Sequence, residues 1–354
     1  MKKVFYAVLI FFAIFSPAYA EGYEIKGNDT FNSTVRSVTD GSLTLNPISI
    51  INSLFESFSR ELKDAAGLLK TVFVLSVAAG LARILGSSFK DSGTAETAGL
   101  ACFLLIALPM LKVFSEAAGY AAQAIHNICD FITKFEPIFI SMLVSGGAIT
   151  QAAAFQPVLA ASVYILGLLL DKCILPICCF SAILALVGNI SDRIEIGTLT
   201  KLLSSVSKWL LTGLLTLFSA ILSLYGFTTK AFNTVATKGL KFAVGSLVPV
   251  VGGILSDTVD TVLSGAHLLK SAVGTAGMIT LLSIAFLPSL KILVMMLLLR
   301  LVAAIIEPFS EKRTVNMLLA VSDSVKILFS MVVTATLLFI ISIGIILLSS
   351  GVSF

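Results

Sequence analysis

This sequence contains few charged residues. Asp, Glu, Lys and Arg make up only 12% of its 354 residues, about half of the roughly 25% found in an average soluble domain. Hydrophobic residues account for 57% of the chain, and its mean hydropathy is +1.02. A water-soluble protein of this length could not bury so much apolar surface. We therefore expect lipid to be the solvent of most of the chain.

The sequence also lacks the patterns that carry most enzyme chemistry. His126 and His267 are its only histidines, and it has neither an HExxH zinc motif nor a Gly-rich phosphate loop followed by Lys and Ser or Thr. Its five cysteines show no metal-ligand or disulfide spacing, and a thiol in an apolar run behaves as a small hydrophobic group. We predict a protein that is not an enzyme, with no catalytic residue, cofactor or metal. The net charge of +4 is too small and scattered to indicate nucleic-acid binding.

Long stretches without charge are the main positive feature. Residues 327–354 carry no charged side chain, and similar runs occupy 137–170, 173–191, 209–229 and 271–290. A helix in lipid must be apolar all round, and about 20 residues cross the roughly 30 Å hydrocarbon layer. The predicted fold class is all-α, a multispan membrane helix bundle of about six to eight spans with broken or re-entrant segments. The candidate spans are 68–86, 98–115, 138–170 with a break, 173–190, 209–227, 273–288, 289–306 and 326–349.

The N-terminus has the pattern of a signal peptide. Lys2 and Lys3 precede a short apolar core, and Ala18-Tyr19-Ala20 resembles a cleavage site. We predict a signal peptide over 1–20 and a flexible exported leader over 21–45; an uncleaved first membrane helix is the alternative. The polytopic membrane domain is predicted over 68–354.

An exported amphipathic helix is predicted between them, over 46–67. Asn46 can cap this helix, and Pro47 suits its first position. Apolar residues such as Leu54 and Leu62 fall on one face at helical spacing, with charged residues on the others. Two interpretations stand: a helix lying on the membrane surface, or a docking surface for a partner protein.

Segment 242–256 is apolar but short, and its Gly and Pro residues can break a helix and leave backbone carbonyl groups free. Two carboxylates three residues apart follow it on one helical face. Carboxylates beside a broken helix can bind a cation or line a water-filled path; alternatively, they mark a helix end at the membrane boundary. The candidate conduit or broken-helix element consists of Gly245, Pro249, Gly252, Gly253, Asp257 and Asp260. A second candidate broken segment contains Gly146, Gly147, Gln156 and Pro157.

Ionisable residues also interrupt the apolar runs. Arg300 lies about nine residues into 291–306, where it should face the bundle interior and find a partner. Glu307 lies seven residues further on and shares its helical face. These two candidate intramembrane charges fit either an internal ion pair or a solute pathway. Asp171 and Lys172 interrupt 158–190, and they predict a tight hairpin between two spans.

Several stretches together resemble one known family. Residues 241–262, with Pro249-Val250-Val251-Gly252-Gly253 and then Leu255-Ser256-Asp257, resemble a stretch typical of stage III sporulation protein AE. The resemblance covers about residues 48–349. Supporting similarity lies in Met142-Leu143 and Ser145-Gly146-Gly147 through Gln156-Pro157, in Leu54-Phe55 to Leu62, and from Arg300 through Glu307-Pro308 to Asp323.

The resemblance implies a role in endospore formation. Members of this family sit in the mother-cell membrane around the engulfed forespore. With the other stage III A sporulation proteins and the forespore protein IIQ, they form a trans-envelope, secretion-like channel required for forespore development. The resemblance thus implies a multi-pass component of the cell membrane, with these proteins and the lipid bilayer as partners and a possible homo-oligomer. It supplies no catalytic residues. A stand-alone ion-coupled secondary transporter and a structural membrane scaffold are the alternatives.

Overall fold

The computed structural model of the protein describes residues 56–63, 92–145, 148–188, 197–247, 252–308 and 312–349, together with isolated positions between 67 and 78. The predicted signal peptide, the exported leader and the first part of the amphipathic helix lie outside these residues. Five long helices make up nearly all of the described chain: α1 (Ser92–Ser145), α2 (Ile149–Gly188), α3 (Gly197–Leu247), α4 (Gly252–Ile306) and α5 (Lys312–Ser349).

All five helices are long and apolar enough to cross a membrane. The prediction of an all-α multispan bundle is therefore confirmed, with five candidate spans among the described residues where the sequence predicted six to eight. The candidate spans are Phe103–Val144, Ile149–Gly188, Gly197–Gly226, Ser271–Ile306 and Lys312–Ser349.

The number of spans differs because single helices pass through several predicted breaks. The predicted spans 273–288 and 289–306 are one helix, since α4 continues through Pro288. A proline in a membrane helix is tolerated when neighbouring groups satisfy the backbone carbonyl that it leaves free. The predicted hairpin at Asp171 and Lys172 is wrong for a similar reason. The α2 helix continues through them as a π-helical segment, Leu168–Ile174, and their side chains form an outward-facing ion pair of 2.8 Å.

Helix α5 forms the centre of the bundle. It packs against each of the other four long helices, and none of its side chains from Ser324 to Leu347 is exposed. The buried hydroxyl groups of Thr336 and Ser342 donate hydrogen bonds to the carbonyl oxygens of the residues four positions earlier, at 2.8 and 2.7 Å. These local bonds satisfy the only polar atoms that the two side chains bring into the core. The most apolar of the five spans is therefore covered mainly by protein.

Glycines allow the neighbouring helices to approach α4 closely. The rings of Phe131, Phe135 and Phe139 stack in a row along α1, with centroid distances of 5.5 and 5.1 Å. The middle ring lies against Gly277, where an added Cβ atom would come within 2.5 Å of the ring. At Gly274 an added Cβ atom would meet the side chain of Leu347 on α5 at the same distance. Small residues at helix crossings are typical of bundles in lipid, where close packing replaces the hydrophobic driving force.

We expect Gly277→Ala to destabilise the bundle. The Phe135 ring is held between two others, so it cannot move aside, and overpacking of this kind costs about 1–3 kcal/mol. That exceeds the roughly 0.5–1 kcal/mol that Ala gains over Gly within a helix. Thermal unfolding of the detergent-purified protein measures the effect. The matched control is Gly213→Ala, where no atom lies within 4 Å of the added Cβ, and its melting temperature should stay the same or rise. Equal melting temperatures for the two variants would contradict the prediction.

Candidate functional site

Four of the helices contain a stretch of similar length without any charged residue: 149–170 in α2, 209–229 in α3, 271–290 in α4 and 327–349 in α5. Each stretch has about 20 residues and is therefore roughly 30 Å long at a rise of 1.5 Å per residue. This is the thickness of the hydrocarbon layer of a bilayer. Whether the stretches form one layer depends on how the helices are aligned.

Side-chain contacts align one end of all four stretches. Gln151, near the start of α2, is fully buried and donates a hydrogen bond from Nε2 to the carbonyl oxygen of Ser349. On other sides of α5, Gly226 of α3 and Gly274 of α4 pack against its last turns. The ends of the four stretches therefore meet around the C-terminal turns of α5.

The other end is marked by the first charged residue that each helix reaches. These residues lie about 17 to 23 positions from the contacts at the first end, or roughly 26 to 35 Å along each helix. We call the region between the two ends the charge-free layer, and we call this second end the lysine end because each of the four helices carries a lysine there. The residues that mark it are Asp171 with Lys172, Lys208, Lys291 and Lys326.

The N-terminal helical residues 56–63 dock at the lysine end. Lys291 Nζ lies 3.8 Å from Glu61 Oε1 and 4.9 Å from the ring centroid of Tyr120 on α1. The side chains of Lys291 and Glu61 are only 26% and 12% exposed, and Phe58 packs against the hydrophobic core. This part of the predicted amphipathic helix thus contacts the protein's own bundle. Neither interpretation made from the sequence, a membrane surface or a partner protein, included that contact.

Arg300 joins α4 to α5 beyond the lysine end. Its Nη2 atom lies 2.7 Å from Asp323 Oδ1, and its Nε–H donates to Ser322 Oγ at 3.3 Å. The Ser322 hydroxyl in turn donates to the carbonyl oxygen of Met296 at 3.1 Å. Glu307 does not provide the partner, because α4 ends at Ile306 and Glu307 lies exposed in the turn that follows. The sequence could have indicated Asp323 as the partner. The connection between α4 and α5 is short, so the two helices run antiparallel and residues on either side of it can face each other.

The structure places most of the predicted conduit element in regular helix. Gly245 lies in α3, Gly252 and Gly253 begin α4, and Asp257 and Asp260 follow in its first turns. Pro249 is outside the described residues. Asp260 precedes Gly274 by 14 residues of continuous helix, which corresponds to about 21 Å. Both residues therefore belong to a part of α4 beyond the charge-free layer, at the opposite end of the helix from Arg300.

The second predicted broken segment coincides with the connection between α1 and α2. Gly146 and Gly147 lie outside the described residues, while Gln156 and Pro157 are exposed in the first turns of α2. Ala148 closes the connection by donating its backbone N–H to the carbonyl oxygen of Leu143 at 2.9 Å. The structure does not bring this segment together with the conduit element or with Arg300.

Comparison with known proteins gives a match over nearly the whole chain. A family model described as stage III sporulation protein AE matches residues 30–350. The chain is 27% identical to the stage III sporulation protein AE of Bacillus subtilis (strain 168) over 314 residues, which cover 89% of this chain and 79% of that protein. No solved structure matches. The matched region contains all five long helices and both ends of the charge-free layer.

We expect Lys291→Gln to loosen residues 56–63 from the bundle. Loss of one partner from a partly buried ion pair costs on the order of 1 kcal/mol, which raises the detached fraction about five-fold. Limited chymotrypsin digestion of the purified protein should then cleave near Phe58 faster by a similar factor. The matched control is Lys63→Gln, which removes the same charge from an exposed position of the docked segment. Equal cleavage rates in the two variants would mean that Lys291 does not hold the segment.

Proposed function

The chain belongs to the stage III sporulation protein AE family, and from this membership we propose that it is a membrane component of the channel complex that connects the mother cell to the forespore. A role in sporulation follows from the family itself. The observation that carries the finer proposal is the extent of the match, because it includes the five apolar helices and not only a short motif. We propose the mother-cell membrane around the forespore as the location.

The ends of the helices support a role within a complex. Beyond the lysine end, α2, α4 and α5 extend by about 15 residues, or roughly 22 Å, outside the charge-free layer. This extension exposes large apolar side chains, among them Phe180 (63% exposed), Ile183, Leu301 and Ile305. We propose that this extension lies outside lipid, where a protein surface rarely exposes such groups unless a partner covers them. We propose that the other stage III A sporulation proteins and the forespore protein IIQ bind on this side.

The two alternative functions fit less well. An ion-coupled secondary transporter binds its ion near the middle of the membrane, between helices. Helices α2 to α5 carry no charged residue within the charge-free layer, and the Asp130 and Lys134 side chains of α1 face outward instead of lying between helices. A purely structural scaffold agrees with the packing and differs from the proposal in its response to substitution. A scaffold would tolerate the loss of polar groups that a conduit needs, as long as the complex assembles.

Deletion of the gene tests the sporulation role. We expect cells without this protein to complete engulfment, to lose late forespore gene expression and to form no heat-resistant spores. Phe180→Ser combined with Ile183→Ser should give the same phenotype, because the protein still inserts in the membrane but no longer retains its partner subunits during affinity purification. The control is Leu217→Ala with Leu224→Ala, which alters exposed apolar residues within the layer. Normal spores in the deletion strain would refute the proposed function.

The predicted conduit element has a separate test. If Asp257 and Asp260 line the path of the transported solute, Asp257→Asn combined with Asp260→Asn should reduce forespore gene expression while the protein accumulates normally, because the charges are removed and the side-chain shapes are kept. Reporter activity in the forespore, compared with protein abundance by immunoblot, measures this. Wild-type expression in the double variant would exclude both carboxylates from the path and favour their role as residues at a helix end.

A further inference from the structure

Helix α1 crosses the same layer as the four charge-free stretches. The Phe135 ring packs against Gly277 of α4, and the Tyr120 ring lies next to Lys291 Nζ. These two contacts are about 15 residues apart on both helices, so α1 and α4 run antiparallel in register. Residues 120–135 of α1 therefore span from the lysine end well into the charge-free layer.

From the lysine end as far as Lys134 the outer face of α1 is polar, and beyond it Pro137 and Ile138 are exposed. Its exposed positions recur every three or four residues, which places them on one side of the helix, while the opposite side is buried and apolar. Lys134 Nζ forms an ion pair of 2.7 Å with Asp130 Oδ2, yet these side chains remain 66% and 52% exposed. We call the exposed set the polar stripe: Gln123, His126, Asp130, Thr133 and Lys134.

Hydrocarbon cannot solvate this stripe. Asp130 lies ten residues from Tyr120, so it is about 15 Å inside a layer that is roughly 30 Å thick. A carboxylate on so short a side chain cannot reach the membrane boundary, and the ion pair leaves part of its hydrogen-bonding capacity unused. Charged groups at this depth are found facing a protein interior or water. The Asp130 and Lys134 side chains face outward, which leaves water as their solvent.

The other outward-facing helices show what contact with lipid requires. The prominently exposed side chains of α2 and α3 in this layer are apolar or aromatic, for example Ile165, Trp209, Leu217 and Leu224. None of the exposed residues of these two helices within the layer is charged. The stripe on α1 is therefore a local departure from a surface that otherwise suits lipid.

We propose that the polar stripe of α1 lines a water-filled passage that enters the membrane from the lysine end, and that the same stripe on other copies of this chain forms the remaining walls. One helix supplies only one wall, and closure by identical stripes leaves none of them in contact with lipid. Closed rings of identical subunits are the usual form of homo-oligomers. The inference rests on the membrane location in the proposed function, but not on the sporulation partners.

The lysine end provides an entrance. A groove of about 450 Å³ opens between α1 and α2 beside His126, and Asp171 and Lys172 of the π-helical segment form part of its lining. The stripe offers hydrogen-bond donors and acceptors. Its Asp130 and Lys134 neutralise each other, and the half-buried Glu136 just beyond them adds one negative charge. The passage therefore fits small neutral or cationic polar solutes better than anions.

Cysteine accessibility tests the passage directly. Single cysteines replace Asp130 and Thr133 of the stripe, or Leu217 and Leu224 of α3, in full-length protein whose five native cysteines have been changed to Ser. Intact membranes from sporulating cells are then treated with a charged, membrane-impermeant thiol reagent, which reacts with the water-exposed thiolate. We expect both stripe positions to react at a rate close to that of Lys312→Cys, an exposed position outside the layer, and the two leucine positions to remain unlabelled.

Each other result overturns the proposal. If the stripe cysteines react no faster than the leucine controls, the stripe does not face water; if all four react, the layer is not in hydrocarbon. Disulfide cross-linking between copies at Thr133→Cys without labelling would indicate a dry contact between subunits. Thr133→Cys keeps Asp130 and its ion pair with Lys134, so labelling at that position does not depend on the loss of the carboxylate. The labelling does not depend on spore formation, so its failure is distinguishable from failure of the proposed function.

Discussion

The absence of solvating water in the hydrocarbon layer governs the rest of this structure. Four helices satisfy that constraint in the same way: each has about 20 consecutive residues without charge and a lysine at one end of that stretch. Because contacts at Gln151, Gly226 and Gly274 align these stretches, charges are displaced to common levels. The docking of residues 56–63 on Lys291 and the Arg300–Asp323 pair both use charges at or beyond the lysine end. The constraint thus determines where the protein can form ion pairs between segments.

Packing within the layer has a different origin from packing in a soluble core. Lipid tails are as apolar as the side chains that they meet, so helix association depends on close contact and not on the removal of water. This explains why Gly274 and Gly277 lie where α5 and α1 cross α4. It also explains the central position of α5, whose helix is surrounded by the other four. The outer surface of the bundle is formed largely by α1, α2 and α3, although α5 is the most apolar span.

The sequence predicted the fold class and the apolar runs but not how the helices continue through interruptions. Hydropathy along a chain cannot distinguish a charge at a turn from a charge that points outward from a continuous helix. Asp171 and Lys172 predicted a hairpin for that reason, and the structure has a π-helical segment there. Arg300 drew attention to Glu307 on its own helix, whereas its partner, Asp323, comes from the next one. Partners across helices depend on their relative alignment, which the pattern of a single segment does not contain. For the conduit element the sequence remains the main guide, since Pro249 lies outside the described residues.

The polar residues of α1 link the membrane constraint to function. Their spacing of three or four residues was visible in the sequence, but 116–137 lies between two predicted spans, where polarity needs no explanation. The polarity of this segment does need an explanation in the structure, because Phe135 and Tyr120 align the segment with the charge-free part of α4. A sequence that otherwise obeys a physical rule departs from it mainly where function requires the departure. Here the departure is confined to one face of one helix, and the other face of that helix packs normally on the core. A membrane component that must meet both lipid and water needs such a division of its outer surface. Its position on a single helix is what a passage built from repeated copies requires.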